Sequence, residues 1–207
     1  MNAFHPGSKR RLIVVDHGAR CVKLLLAEPH GHGLRVLDHK VVDLLEEGLL
    51  APEEIRRHVS GLAHQWGEWP IALALPAHLS FSQVVDLPAG AGERDIPKVI
   101  EEQTGRLRGF SSSPLVYDAV RLEHHGKLQQ PYFITIAREE DVEQHLKRTT
   151  EEVNEVRDVS GPANALLSAQ RAFQPDLRDC VLVDWGASGT LVVVVRAGQG
   201  VFASSFA

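Results

Sequence analysis

Residues 183–191 read VDWGASGTL and residues 15–25 read VDHGARCVKLL. The phrase Val-Asp-x-Gly-Ala thus occurs twice, its aspartates Asp16 and Asp184 standing 168 positions apart, each at the end of an apolar run. An Asp at the exit of a buried strand, followed by a Gly turn into the next strand, suits a phosphate and metal site. The glycine lets the backbone approach a phosphate and aim N–H groups at it, while the carboxylate holds Mg2+, usually through waters. One Asp-x-Gly is an ordinary hairpin signal. Two copies, each leading into an apolar strand, are more informative, and two such hairpins facing each other would clamp a triphosphate.

Outward from the first copy, residues 11–16, 22–28 and 34–42 read as strands joined by short Gly-bearing links, an antiparallel meander. Pro52 suits a first helical turn, Glu53 and Glu54 suit the positive end of its dipole, and Ile55, Val59, Leu62 and Trp66 share one face. IALALP at 71–76 is a compact strand stopped by Pro76, which makes the order βββαβ. Next, 79–88 alternates as a strand, and a helix from Glu93 to about Leu107 places Ile96, Val99, Ile100 and Leu107 on a stripe, with Pro97 restricting its start. Residues 110–114 read as a loop, 115–123 and 132–137 as strands and 139–153 as a second helix, so a β-α-β-β-α unit is inserted after Pro76.

A short strand in 154–161 leads to a helix over Pro162–Phe173, with Ser160 as its expected cap and Ala163, Leu166, Leu167 and Ala169 as its core face. Around the second copy, strands at 180–184, 190–198 and 200–207 repeat the architecture of 11–42. The class is α/β.

Composition narrows the function. With 43% hydrophobic and 24% charged residues the chain is globular in character, and runs such as Val192–Val195 fall far short of the ~20 residues of a membrane helix. No sustained apolar segment follows the basic N-terminus, so export and membrane insertion are not expected. A net charge of −5, with only the short basic patches at 8–11 and 106–109, argues against nucleic acid. Cys21 and Cys180 lie far apart in strand-like segments and read as free thiols. His30, His32, His124 and His125 fall in Gly-bearing turns without partners at ligand spacing, and are expected to face water rather than a metal.

Duplicated βββ units with paired Asp-Gly hairpins resemble the actin-like ATPase superfamily, of ribonuclease H-like fold. Within it the chain resembles the branch of the type IV pilus assembly proteins PilM and of FtsA. The resemblance rests on VVDHGARCVKLL with Lys23, on VLVDWGASGTLVVVV with Ser188 and Thr190 as hydroxyl donors, and on the segments between them. These are ALPAHLSFSQVVDLPAG, VIEEQTGRL, VYDAVRL, FITIAREEDVEQHL and DVSGPANALLSAQRAF, in the family's order. The resemblance implies a first lobe formed by subdomain 1A at 11–77 plus 154–176, an inserted subdomain 1C at 78–153, and the beginning of subdomain 2A at 178–207. It thus implies either a piece of a longer protein or a shortened relative.

It also implies ATP and Mg2+ between the lobes, with Asp16, Gly18, Ala19, Lys23, Asp184, Gly186, Ala187, Ser188, Gly189 and Thr190 around the nucleotide and Asp16 and Asp184 on the metal. The expected partner is the cytoplasmic N-terminal peptide of a PilN-like inner-membrane protein, docked near 1A and 1C, together with other components of the pilus platform. The expected place is the cytoplasm, at the inner membrane through that partner. In the first loop the family's small hydroxyl residues are replaced by Ala19 and Arg20. Arg20 is placed either to pair with phosphate or to point outward.

Catalytic turnover is not expected of this chain, and at most weak ATPase activity in a complete form: no general base and no Ser-His-Asp or Cys-His arrangement stands out. The alternatives are a GspL-like type II secretion component, an FtsA-like division protein, or part of an actin-fold kinase using Asp16 or Asp184 with Mg2+.

Overall fold

A computed structural model of the chain describes residues 11–30, 33–48, 51–67, 69–104, 114–123, 127–151, 155–187 and 189–206. The sequence readings for Leu107, most of the 110–114 loop, both basic patches apart from Arg11, and His32, His124, His125 and Ser188 fall outside these residues. Three sheets organise the described chain. The first contains β1 (Leu12–His17), β2 (Cys21–His30), β3 (Gly33–Asp43), β4 (Ile71–Ala74) and β8 (Val156–Ser160), in the order β3-β2-β1-β4-β8. β1 pairs antiparallel with β2 and parallel with β4, so the expected mixed sheet forms.

The crossover from β3 to β4 is α1 (Pro52–Trp66). It starts where the Pro52 ring needs no N–H donor, and Glu54 reaches back to accept from the Ala51 N–H at 3.1 Å. It ends at Gly67, whose φ of 106° is left-handed. Ile55, Val59 and Ala63 bury the helix against Ile13, Val15, Val22, Leu24, Ile71 and Leu73.

The second sheet, β5-β7-β6, consists of β5 (Ser80–Asp86), β6 (Leu115–Arg121) and β7 (Pro131–Arg138), all antiparallel. α2 (Ile96–Thr104) follows a single 3-10 turn over Glu93–Asp95, so Pro97 sits in the first α turn, where its missing N–H costs little. Ile96 and Ile100 pack on Val85, Ile134 and Ile136. β7 is buried on both faces, because Phe133 on its other side meets α4 (Pro162–Phe173) and the third sheet. That sheet is β11-β10-β9, from β9 (Cys180–Gly186), β10 (Gly189–Arg196) and β11 (Gln199–Phe206). Leu191, Val193 and Val195 point inward onto Ala163 and Leu167 of α4.

Three local expectations need correction. α3 (Glu139–Thr149) stops four residues before the expected end. Thr149 and Thr150 are β-branched, and both the N–H and the hydroxyl of Thr150 bond the Leu146 carbonyl, which closes the last turn. Ser160 does not cap α4: it is spent in the β8 ladder opposite Ala74, and Gly161 takes the cap position without a side-chain bond. On α4, Ala169 is exposed and Gln170 is buried instead, because its amide donates to the Gln174 and Leu177 carbonyls and ties down the helix end.

α3 follows β7 directly but also lies against α1. Leu146 packs on the core of the first sheet, and the Arg56 guanidinium donates to the Lys147 carbonyl at 2.7 Å.

Candidate functional site

The two repeated phrases build closely similar hairpins. In the first, Ala19 and Arg20 form a two-residue tip between Gly18 and Cys21, and the second is closed by the pair Gly186 and Gly189. Gly18 and Gly186 hold equivalent places. A Cβ on Gly18 would stand 3.3 Å from the Cys21 carbonyl oxygen, and one on Gly186 would stand 3.3 Å from the Gly189 carbonyl oxygen. That approach is tighter than side chains ordinarily accept, so glycine closes each turn.

Side chains alternate across the pleat, which separates Asp from x in both phrases. Asp16 pairs with Lys23, and Lys23 Nζ donates to Asp16 Oδ2 at 3.0 Å. Asp184 pairs with Leu191, whose side chain faces inward. Lys23 holds its proton more firmly than an ordinary lysine, first because of the Asp16 hydrogen bond, against some burial, and further because of the Asp16 and Asp184 charges. Of these influences on Lys23, that of Asp184 is the weakest and that of the Asp16 hydrogen bond the strongest.

The other expected residues divide. Gly18, Ala19, Gly186, Ala187 and Gly189 sit at the tips, and Thr190 pairs with Trp185, which puts it on the face opposite Asp184. Arg20 points outward: its Nε donates to Asp43 Oδ2 at 3.0 Å at the end of β3. That bond raises the Arg20 pKa, and the Asp43 carboxyl is lowered by the same bond together with backbone N–H groups of Glu46 and Leu45.

Position x carried no expected role, yet here the hairpins differ most. His17 Nδ1 lies 2.7 Å from Thr149 Oγ1, and its ring is 5.5 Å from that of His145. Burial, then the Arg148 charge, lowers the His17 pKa, against Asp16. Burial and the neighbouring His17 lower His145 to about 4, against the Ala74 carbonyl and Asp16. His145 Nε2 is buried without a partner among the described residues. A signal was available in the sequence: Val142, His145, Leu146 and Thr149 recur at helical spacing on one face of α3.

Carboxylates, an ammonium and tight glycine turns are donor types that suit a phosphate chain carrying a divalent cation. Among the described residues no group of three or more His, Cys, Asp or Glu has metal-site geometry.

No protein-family model matches the chain, and no curated protein matches it by sequence. Solved structures do. The protein in a "PilM-PilN type IV pilus biogenesis complex" superposes with a TM-score of 0.65 at 18% identity, over 96% of this chain and 62% of that one. The cytoplasmic domain of EpsL, an inner-membrane component of the type II secretion system of Vibrio cholerae, gives 0.59 at 14% identity, over 94% of this chain and 71% of that one. A Bacteroides thetaiotaomicron protein with an actin-like ATPase fold gives 0.51 at 12% identity, over 96% of this chain and 70% of that one. The chain thus spans less than two thirds of the length of the PilM-complex protein. Its α/β architecture of sheet, interposed sheet and second hairpin sheet is an actin-like ATPase fold.

Proposed function

We propose that the chain is a PilM-like assembly protein of a type IV pilus inner-membrane platform, working on the cytoplasmic side. It docks the N-terminal peptide of a PilN-like membrane protein near the first sheet and the interposed β5-β7-β6 unit. In this reading residues 11–77 and 154–176 are subdomain 1A, 78–153 are subdomain 1C and 178–207 begin subdomain 2A. The observation that carries it is the likeness to the PilM–PilN complex protein over 96% of the chain, including the interposed sheet. No described helix is long and apolar enough to cross a membrane, which suits attachment through a partner.

ATP and Mg2+ are the ligands proposed for the two hairpins. Asp16 and Asp184 would hold the cation, Lys23 would meet a phosphate, and the turns at Gly18–Ala19 and Gly186–Gly189 would lie along the chain of phosphates. Bound there, the nucleotide supplies charge that both hairpins recognise. No general base is assigned, so the role is ligation rather than turnover. A GspL-like secretion role has nearly the same support, from the EpsL domain.

Calorimetric titration with Mg-ATP and, separately, with the cytoplasmic peptide of a PilN-like protein encoded beside this one tests the proposal. Peptide binding in the micromolar range is expected. Nucleotide binding without peptide binding would overturn the docking role and favour a phosphoryl-transferring enzyme of the same fold.

A further inference from the structure

We propose that His17 is a positioning residue that anchors the first hairpin to the last turn of α3 through Thr149, and so sets the shape in which that hairpin meets a phosphate. The inference rests on the nucleotide reading of the hairpins. His17 is the residue between Asp16 and Gly18, and the pleat turns its side chain to the opposite face from the Asp16 carboxylate. The carboxylate, paired with Lys23, stays on the other face while the ring grips the scaffold.

The anchor point is rigid. Thr149 is fully buried, and the helix end beside it is closed by Thr150 on the Leu146 carbonyl. The His17 ring is flanked by His145, itself 5% exposed, which limits its motion to one side. α3 is fixed in turn on two sides. Arg56 of α1 bonds the Lys147 carbonyl, and Arg138 at the end of β7 binds both Asp141 oxygens, at 2.7 and 3.0 Å. The path from the hairpin to the end of β7 therefore runs through two side-chain contacts joined by α3: His17 to Thr149, and Asp141 to Arg138.

The second hairpin is the internal control. Trp185 stands at the same position x, 87% exposed, with no hydrogen bond to hold it among the described residues. If the turn sequence alone fixed hairpin shape, the two would be equally stiff.

The test uses the full chain with Thr149→Val, close in shape but without the hydroxyl, and Thr149→Ser, which keeps it. Amide hydrogen exchange is read at 18–23 and at 186–191. Loss of one ordinary hydrogen bond predicts about three- to tenfold faster exchange in the first hairpin of Thr149→Val, no change in the second, and return towards wild type in Thr149→Ser. Unchanged exchange at 18–23, or an equal rise in both hairpins, would overturn the anchor. Mg-ATP affinity is then measured on the same proteins, and a several-fold loss restored by serine is expected. If the wild type binds no Mg-ATP, the nucleotide reading fails while the exchange data still decide the anchor; if it binds and the variants bind equally, positioning is refuted.

Discussion

Val15 and Val183 hold the same place in the repeated phrase, yet Val15 is fully buried and Val183 is 56% exposed. The backbone around them is alike, an antiparallel hairpin closed by a glycine. The difference lies in the layer outside. α1 covers the outer face of the first sheet, packing Ile55, Val59 and Ala63 into the core that holds Val15, and α3 adds Leu146. On the third sheet Val181, Val183, Trp185, Phe202 and Phe206 stand exposed, and the register places all five on one face with Val192 and Val194. A two-stranded hairpin has little stability of its own, and burial against a second layer supplies most of it. The first hairpin is therefore held from outside by helices, and the second from inside by α4. Equal backbones do not imply equal energetics.

The largest expected consequence of that outer cover is a pH dependence confined to the first hairpin's side. His145 has a native pKa of about 4 because burial disfavours its charge. Its unfolded value is about 6.5. Between these values the unfolded state binds more protons than the native state, so stability falls as pH falls through that window and is flat above it. The full span for this one group is up to about 3 kcal/mol. Urea midpoints at pH 7.0 and 4.5 should differ clearly in the wild type and less in His145→Leu, where the buried His17 still contributes in the same direction. An equal drop in both proteins would place the acid sensitivity elsewhere.

Next in size is the comparison of the valines themselves. Val15→Ala removes two methyl carbons from a fully packed site and should cost about 2 kcal/mol. Val183→Ala removes the same atoms from an open face and should stay within about 0.5 kcal/mol. Urea unfolding of the two variants measures both. A comparable loss for Val183 would mean that the outer face of the third sheet is covered in solution, and concentration dependence of the midpoint would then point to a second copy.

How far the sequence led can be read from the same residues. β1 to β4 and α1 were legible because their signals are local: Gly-bearing links, Pro52, and apolar spacing at four, three and four. The pairing of Asp16 with Lys23 follows from a two-residue tip, so both residues could be assigned to one site from a single hairpin. The burial of the third sheet was not legible, since LVVVV reads as apolar whether or not a layer covers each face. Nor was His17 against Thr149, 132 positions away, because that contact exists only once α3 lies beside α1. Ala169 was misjudged and the buried Gln170 passed over, because an apolar stripe does not reveal that a buried amide can satisfy two carbonyls at a helix end.

A smaller effect separates the hairpins as ligand sites. Leu191 occupies in the second hairpin the place that Lys23 occupies in the first. Lys23→Leu therefore makes the first hairpin resemble the second at that position. The exposed ion pair with Asp16 contributes little to folding. A charge-assisted contact to phosphate is worth more, so Mg-ATP affinity should fall about tenfold while the urea midpoint hardly moves. Equal affinity in both proteins would remove Lys23 from the site.

The smallest effect is expected at Arg20, the cation nearest the tip. A reading by charge alone would rank it above Lys23, since an arginine fork matches phosphate geometry better than an ammonium does. The register argues otherwise. Arg20 closes on Asp43 at the end of β3, while its backbone carbonyl accepts from the Leu44 N–H at 2.9 Å, so side chain and main chain both brace the neighbouring turn. Arg20→Ala should leave Mg-ATP affinity within about twofold of wild type, the size expected for an exposed, screened charge. A loss as large as that of Lys23→Leu would mean that the guanidinium leaves Asp43 when phosphate arrives. The first hairpin would then carry two cations to the ligand, where the second, with Leu191 opposite its aspartate, brings none from its strand.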